Sequence, residues 1–185
     1  MIISEFEYTL KDGRIAIIRS PKEEDISGLL AYMYETACET DFLLRYPEEC
    51  SKYTAEGEKI FIDKVNSSGH EAMLVCLVDK KIAAVCNISC GQGIKTRHRA
   101  NIAIAVLRDF WGQGIGTRMI SELISIAEKN ENIIQLELDF IEGNTRARAL
   151  YEKMGFRITG VKPNAIRLKD GTLLNEYSMI RNIYH

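Results

Sequence analysis

The sequence contains no apolar run of roughly 18 residues, the length a membrane-crossing helix needs, so no membrane span is expected. Its opening residues, Met1-Ile2-Ile3-Ser4-Glu5, lack the basic-then-apolar pattern of a secretion signal. No basic run dominates: 24 Lys and Arg stand against 26 Asp and Glu, for a formal net charge of −2. That balance argues against a nucleic-acid surface. Histidine is scarce, with 3 scattered residues, and no two cysteines are spaced C-x-x-C, so no metal site is expected. The cysteines, Cys38, Cys50, Cys76, Cys86 and Cys90, are odd in number, and two fall in apparent strands. They read as reduced thiols in a cytoplasmic protein. No Pro/Gly/Ser-rich linker divides the chain. Its 185 residues, 46% hydrophobic and 27% charged, suit a single domain over 1–185.

What is present begins with turn chemistry. The tetrapeptide Leu-Lys-Asp-Gly occurs at 10–13 and again at 168–171. Asp-Gly between strand-like runs makes hairpin turns, so the two copies predict similar turns rather than a repeated domain. Residues 14–19 read as a strand. Ser20-Pro21-Lys22-Glu23 reads as a helix start, with Ser20 as N-cap and Glu23 closing a capping box. Ile26, Leu29, Leu30 and Met33 follow at helical spacing. Residues 36–53 look irregular, and a second helix is expected from Thr54 to Val65. Strands at 72–78, 82–89 and 101–106 come next. Beyond them helices (115–130, 145–154) alternate with strands (133–140, 156–161, 173–181). Consecutive strands followed by alternation predict an α/β protein with a mixed sheet flanked by helices.

The most informative stretch runs from Asn101 to Thr117. A strand enters Gly112-Gln113-Gly114-Ile115-Gly116, which opens a helix whose buried stripe is Ile120, Leu123, Ile124 and Ala127. A helix start leaves backbone N–H groups unpaired at the positive end of the dipole, and glycines let the backbone wrap closely. Such a turn cradles a diphosphate. It also serves as a tight strand-to-helix junction with no ligand. No Lys-Ser/Thr follows Gly116, and the spacing is not G-x-G-x-x-G, so neither a P-loop nor a Rossmann fingerprint is present.

A second constellation spans Leu136 to Phe156. Asn144 suits an N-cap and Gly155 a helix terminator, while Ala147, Leu150, Tyr151 and Met154 share one face. Asn144 and Tyr151 stand two turns apart, so both can address one ligand. An ordinary amphipathic helix with a half-buried tyrosine has the same pattern.

Together these segments resemble the GCN5-related N-acetyltransferase (GNAT) family. Residues 101–117 are similar to its acetyl-CoA segment, and 144–156 to its Asn-x-x-Ala-x-x-x-Tyr-x-x-x-Gly-Phe segment. The β-α unit 14–33 is similar to the family's first. The resemblance implies a single-domain GNAT fold: a mixed, mostly antiparallel twisted sheet, splayed between its fourth and fifth strands (101–106 and 133–140, counted from Arg14). It implies acetyl-CoA as co-substrate. Backbone groups of Ile104, Ala105 and Val106 would meet pantetheine. The backbone of Gly112, Gln113, Gly114, Ile115, Gly116 and Thr117 would hold the diphosphate. Asn144 would hydrogen-bond the pantetheine arm, and Tyr151 would stand near the sulfur.

Two departures from the family pattern matter. Trp111 stands where Gln or Arg is usual, and Asn101 where many members carry a Glu that serves as the base. Asp139 is the candidate base, since it matches the place of a catalytic Glu in the subgroup resembling ribosomal-protein alanine acetyltransferases. Glu137, on the same strand face, or a water chain are its alternatives. The implied chemistry is direct acetyl transfer to a primary amine, with Val106 N–H stabilising the oxyanion and Tyr151 protonating the thiolate. The acceptor is a small molecule or a peptide. Glu39, Asp41, Glu48, Glu49, Glu56 and Glu58 against Arg45 and Lys52 tilt it towards a cationic amine such as a polyamine, an aminoglycoside or a peptide N-terminus. A solvated acidic edge has the same composition. A non-catalytic acetyl-CoA-binding sensor or assembly module is the alternative from another class. The oligomeric state is open, a homodimer included.

Overall fold

The structure, a computed structural model, describes residues 1–184. Eight strands and four helices follow in the order β1 (Phe6–Thr9), β2 (Ile15–Arg19), α1 (Ile26–Glu39), α2 (Ala55–Ser67), β3 (Glu71–Val78), β4 (Lys81–Cys90), β5 (Arg99–Val106), α3 (Ile115–Glu128), β6 (Gln135–Ile141), α4 (Thr145–Lys153), β7 (Arg157–Arg167) and β8 (Leu173–Asn182). The strands form one sheet in the order β1-β2-β3-β4-β5-β6-β8-β7. Each recorded strand pairing is antiparallel except β5 with β6, which is parallel. This is the mixed, mostly antiparallel α/β sheet expected.

The chain divides into two compact units, one of Met1–Ser89 with Ala103–Ile120, the other of Cys90–Ile102 with Ser121 onward. In the first, the two Leu-Lys-Asp-Gly copies already show one half of a matching pair. Gly13 N–H meets Leu10 C=O at 3.0 Å, and Leu10 N–H meets Arg14 C=O at 2.8 Å. Asp79 and Lys80, both at positive φ, close the β3–β4 hairpin. Ala72 to Cys76 of β3 are buried without alternation, so both faces of that strand are covered. Helix α2 packs on β3 and on α1. Its N-cap is Thr54, whose hydroxyl accepts Gly57 N–H at 3.1 Å.

The first helix does not start as expected. Ser20 Oγ accepts Ile3 N–H at 2.9 Å instead of capping, and a 3-10 turn occupies Glu23–Asp25. The capping oxygen comes from Asp25, which accepts Lys22 N–H at 2.7 Å and binds the buried Arg19 guanidinium at 2.6 and 2.9 Å. A charged pair thus replaces the hydroxyl, and α1 proper begins at Ile26. It also runs on to Glu39, into the stretch that reads as irregular, because Thr36 and Ala37 continue its buried face.

In the second unit, β6 alternates cleanly: Leu136, Leu138 and Phe140 are buried, while Gln135, Glu137 and Asp139 face the other way. Leu123 and Ala127 of α3 and Met179 of β8 are also buried. The second Leu-Lys-Asp-Gly copy repeats the first: Gly171 N–H meets Leu168 C=O at 2.9 Å, and Gly171 has φ +91° against +90° at Gly13. Strand β7 extends to Arg167, beyond the expected 161. The register shifts between Lys162 and Ile166, across Pro163 and Asn164, and the strand resumes past this bulge. The β5–β6 ladder covers only Arg99–Asn101 against Gln135–Glu137.

Candidate active site

In the first unit the glycine turn follows the end of β5. Trp111 Nε1–H donates to Val106 C=O at 2.7 Å, folding the turn back on the strand it leaves. Leu107 N–H bonds Ala83 C=O of β4 at 2.9 Å, and Tyr32 of α1 donates its hydroxyl to Ala105 C=O at 2.7 Å. Gly112 and Gly114 take φ of +80° and +90°, a region open to glycine and strained for other residues. The first helical bond runs from Arg118 N–H to Gly114 C=O at 3.0 Å. Ile115 and Gly116 therefore lie in the opening turn, where N–H groups cannot pair within the helix.

The β1–β2 hairpin supports this turn from outside. Asp12 N–H donates to Gln113 Oε1 at 3.1 Å, and the Arg118 guanidinium lies over the Phe6 ring at 4.4 Å. A Cβ on Gly114 would run into the Tyr8 hydroxyl. On Gly112 it would meet nothing within 4 Å. The open side of the turn is thus at Gly112, with helix-start donors behind it, and these groups fit a diphosphate.

In the second unit, Asn144 caps α4 through Oδ1, which accepts Ala147 N–H at 3.2 Å. That bond turns its amide N–H₂ away from the helix. Tyr151 is buried, with ring centroids 6.5 Å from Phe140 and 6.3 Å from Phe156. Burial pushes its phenol up to about 12. Asp139 is exposed and accepts the Ser178 hydroxyl at 2.6 Å. Strand alternation puts it on the face of β6 opposite Phe140, and so opposite the ring that meets Tyr151. Glu137 is engaged by Gln135 Nε2 at 2.6 Å and Arg99 at 3.3 Å. Among the described residues no group of three or more His, Cys, Asp or Glu could hold a metal ion.

The model of the acetyltransferase (GNAT) family matches residues 31–156. The chain belongs to the GNAT family. It is an acetyl-CoA-dependent N-acetyltransferase. It is similar to a solved GNAT-family acetyltransferase from Streptococcus pneumoniae, with 27% identity, 91% of this chain and 99% of that one covered, and a TM-score of 0.85. A ribosomal-protein-alanine N-acetyltransferase from Brucella melitensis shares the fold at 23% identity, with 90% and 99% covered and a TM-score of 0.75. So does yncA of Salmonella typhimurium, solved with its cofactor acetyl-CoA, at 15% identity, 92% and 95% coverage and a TM-score of 0.77.

Within the first unit the expected cofactor residues Ile104–Val106 and Gly112–Thr117 form one continuous strand-turn-helix. Asp139, Asn144 and Tyr151 fall together in the β6–α4 segment of the second. Three neighbours escaped the sequence reading: Tyr8, Tyr32 and the bond that Trp111 makes. For Tyr32 there was a signal, a hydroxyl-bearing aromatic amid the apolar positions of α1, since a buried phenol needs a partner. Tyr8 gave none, because its contact with Gly114 depends on the fold.

Proposed function

We propose that residues 1–185 act as one catalytic domain acetylating a primary amine, with the residue roles that follow. The family match supports this reading, since it runs through parts of both compact units. The observation that carries the cofactor assignment is the opening turn of α3, with Gly112 and Gly114 at positive φ and helix-start donors behind an open face. Acetyl-CoA supplies the activated acetyl thioester. The backbone N–H groups of Gly112, Gln113, Gly114, Ile115, Gly116 and Thr117 hold its diphosphate. Ile104, Ala105 and Val106 meet pantetheine through their backbones, and the outward amide of Asn144 binds the same arm.

Val106 N–H takes the charge that develops on the thioester oxygen as the amine nitrogen bonds to the acetyl carbon. Tyr151 gives its proton to the departing sulfur as the carbon–sulfur bond breaks, a role suited to a phenol that burial keeps protonated. Asp139 takes the proton from the nitrogen, directly or through water. Its carboxylate accepts only the Ser178 hydroxyl among the bonds above, whereas Glu137 is tied to Gln135 and Arg99.

The acceptor is a cationic amine: a polyamine, an aminoglycoside or a peptide N-terminus. Glu58 supports this. It sits on the α2 stripe of Ile62 and Val65, and burial raises its carboxyl above the usual range. Glu39 and Glu49 are committed elsewhere, to the N–H groups of Arg108 and Tyr46. The Brucella relative's name favours the peptide N-terminus. The odd cysteine count supports a reducing, cytoplasmic setting. The test is an amine panel followed by release of free thiol from acetyl-CoA. Turnover with a cationic amine supports the reading; turnover only with neutral amines removes the cationic assignment.

A further inference from the structure

We propose that Glu39 and Arg108 are positioning residues that hold the acceptor-facing segment against the cofactor turn. The inference rests on the reading that the acidic stretch from Glu39 to Glu58 faces the amine. Helix α1 ends on Glu39, and its last turn carries no basic residue. An anion at a helix C-terminus opposes the dipole, so local helix physics does not account for it. Its partner lies 69 residues along the chain. The Glu39 carboxylate accepts Arg108 N–H at 2.9 Å. The Arg108 guanidinium in turn donates to Glu39 C=O, one of the carbonyls that a helix end leaves open. Each residue thus binds the other's backbone through its own side chain.

The two backbones so joined lead to the two halves of the reaction. Beyond Glu39 the chain turns extended at Thr40 and enters the segment 40–54. Arg45 ties that segment back to α1, donating to Met33 C=O at 3.3 Å and to Thr36 Oγ1 at 2.9 Å. Arg108 opens the 3-10 turn Arg108–Phe110, between β5 and the glycine turn. Its guanidinium lies over the Trp111 ring at 5.6 Å, and Trp111 holds Val106 C=O. The junction therefore sets where the segment stands relative to the strand end and turn that receive pantetheine and diphosphate. Lys81 of β4 also reaches α1, one turn earlier, binding Glu35 at 2.6 Å. That pair is solvent-exposed and joins side chains only, so it fixes neither backbone.

Glu39→Ala and Arg108→Ala each remove one of the two bonds, while Glu39→Gln keeps an oxygen for Arg108 N–H. The readout is thiol release with the best cationic amine of the panel at saturating acetyl-CoA. In either alanine variant kcat/KM for the amine should fall about 10-fold or more, through a raised KM. Coenzyme A affinity by calorimetry should stay within about 3-fold of the parent's, because Leu107 N–H still anchors the strand end to Ala83. Glu39→Gln should keep its amine KM within about 3-fold of the parent's. Lys81→Ala, which loosens α1 without touching the junction, should leave the amine KM in place. A merely structural junction would lower Tm and leave that KM unchanged. Arg108 is exposed, so Arg108→Ala carries the test if Glu39→Ala does not fold. An unchanged amine KM in the folded alanine variants overturns the inference, as does an equal rise in Lys81→Ala. A rise in Glu39→Gln as large as in Glu39→Ala would put the carboxylate on the amine itself and overturn the positioning role. Turnover of no cationic amine by the parent overturns the acceptor reading.

Discussion

At Gly114 two causes exclude a side chain: a φ of +90° and the Tyr8 hydroxyl on the side where a Cβ would stand. The residue pattern of the turn suggests that a side chain there would fill the phosphate space; the fold shows that it would first displace Tyr8. Gly114→Ala is therefore expected to cost about 1–3 kcal/mol from backbone strain and crowding. In a Tyr8→Phe background the crowding part should vanish and the strain part remain, giving non-additive unfolding free energies in urea. Equal costs in both backgrounds would show that Tyr8 swings aside freely. At Tyr151 the expectation concerns chemistry. Tyr151→Phe should lower turnover by roughly 100-fold, within the usual range for a general acid, with little change in cofactor affinity. An ordinary phenol ionises at about 10, whereas burial pushes this one up to about 12. The parent should then show no alkaline loss of rate centred near pH 10, and a loss there that Tyr151→Phe abolishes would contradict the burial argument.

At the scale of elements, β6 sorts its carboxylates by what they touch. Glu137 faces Gln135 and Arg99, while Asp139 faces Ser178. If Asp139 is the base, Asp139→Asn should depress kcat/KM at neutral pH by roughly 10-fold or more. Activity should recover as pH rises, because the amine then loses its proton to bulk solvent. Glu137→Gln should do little. Parallel pH–rate profiles for parent and Asp139→Asn would leave a water chain as the proton's route. Element boundaries also mark how far the sequence could be read. The helices after Thr54 and Asn144 were legible because each cap bonds a nearby N–H in its own first turn. The start of α1 was not, because Ser20 pairs with Ile3 and Asp25 with Arg19 on another element. The glycine turn was legible as a tight strand-to-helix junction from its spacing alone. Its supports, Tyr8, Tyr32 and the Trp111 bond, come from distant strands and helices or from the fold-back of the strand end, and no local pattern encodes them.

At the scale of the molecule, the Arg19–Asp25 pair ties β2 to the start of α1 in the first unit, and its protonation bears on the stability of the whole. Burial opposes ionisation of Asp25, but the Arg19 guanidinium and Lys22 N–H outweigh it, so the carboxyl lies below its usual range. A carboxylate held low in the folded state adds stability above its unfolded value of about 3.9, and that stability is lost as pH falls through its folded value. Glu58 works in the opposite sense. Burial raises its carboxyl, so its contribution is present below about 4.3 and is lost as pH rises through the higher folded value. Asp25 should therefore contribute to the acid side of the stability curve. Asp25→Asn leaves the buried Arg19 guanidinium with Ser20 C=O at 3.0 Å and the carboxylates of Glu5 and Glu24 at 3.5 and 3.7 Å. Removing one partner of a buried pair costs about 3–5 kcal/mol, and these two carboxylates place the expected loss near the lower figure. For a chain of this size that lowers Tm by roughly 6–12 °C. Measured by urea unfolding at pH 7.5 and again at pH 3, the gap between parent and variant should narrow in acid, because the unfolded parent takes up a proton that the folded carboxylate resists. A gap of equal size at both pH values would assign the loss to packing around residue 25 rather than to its charge.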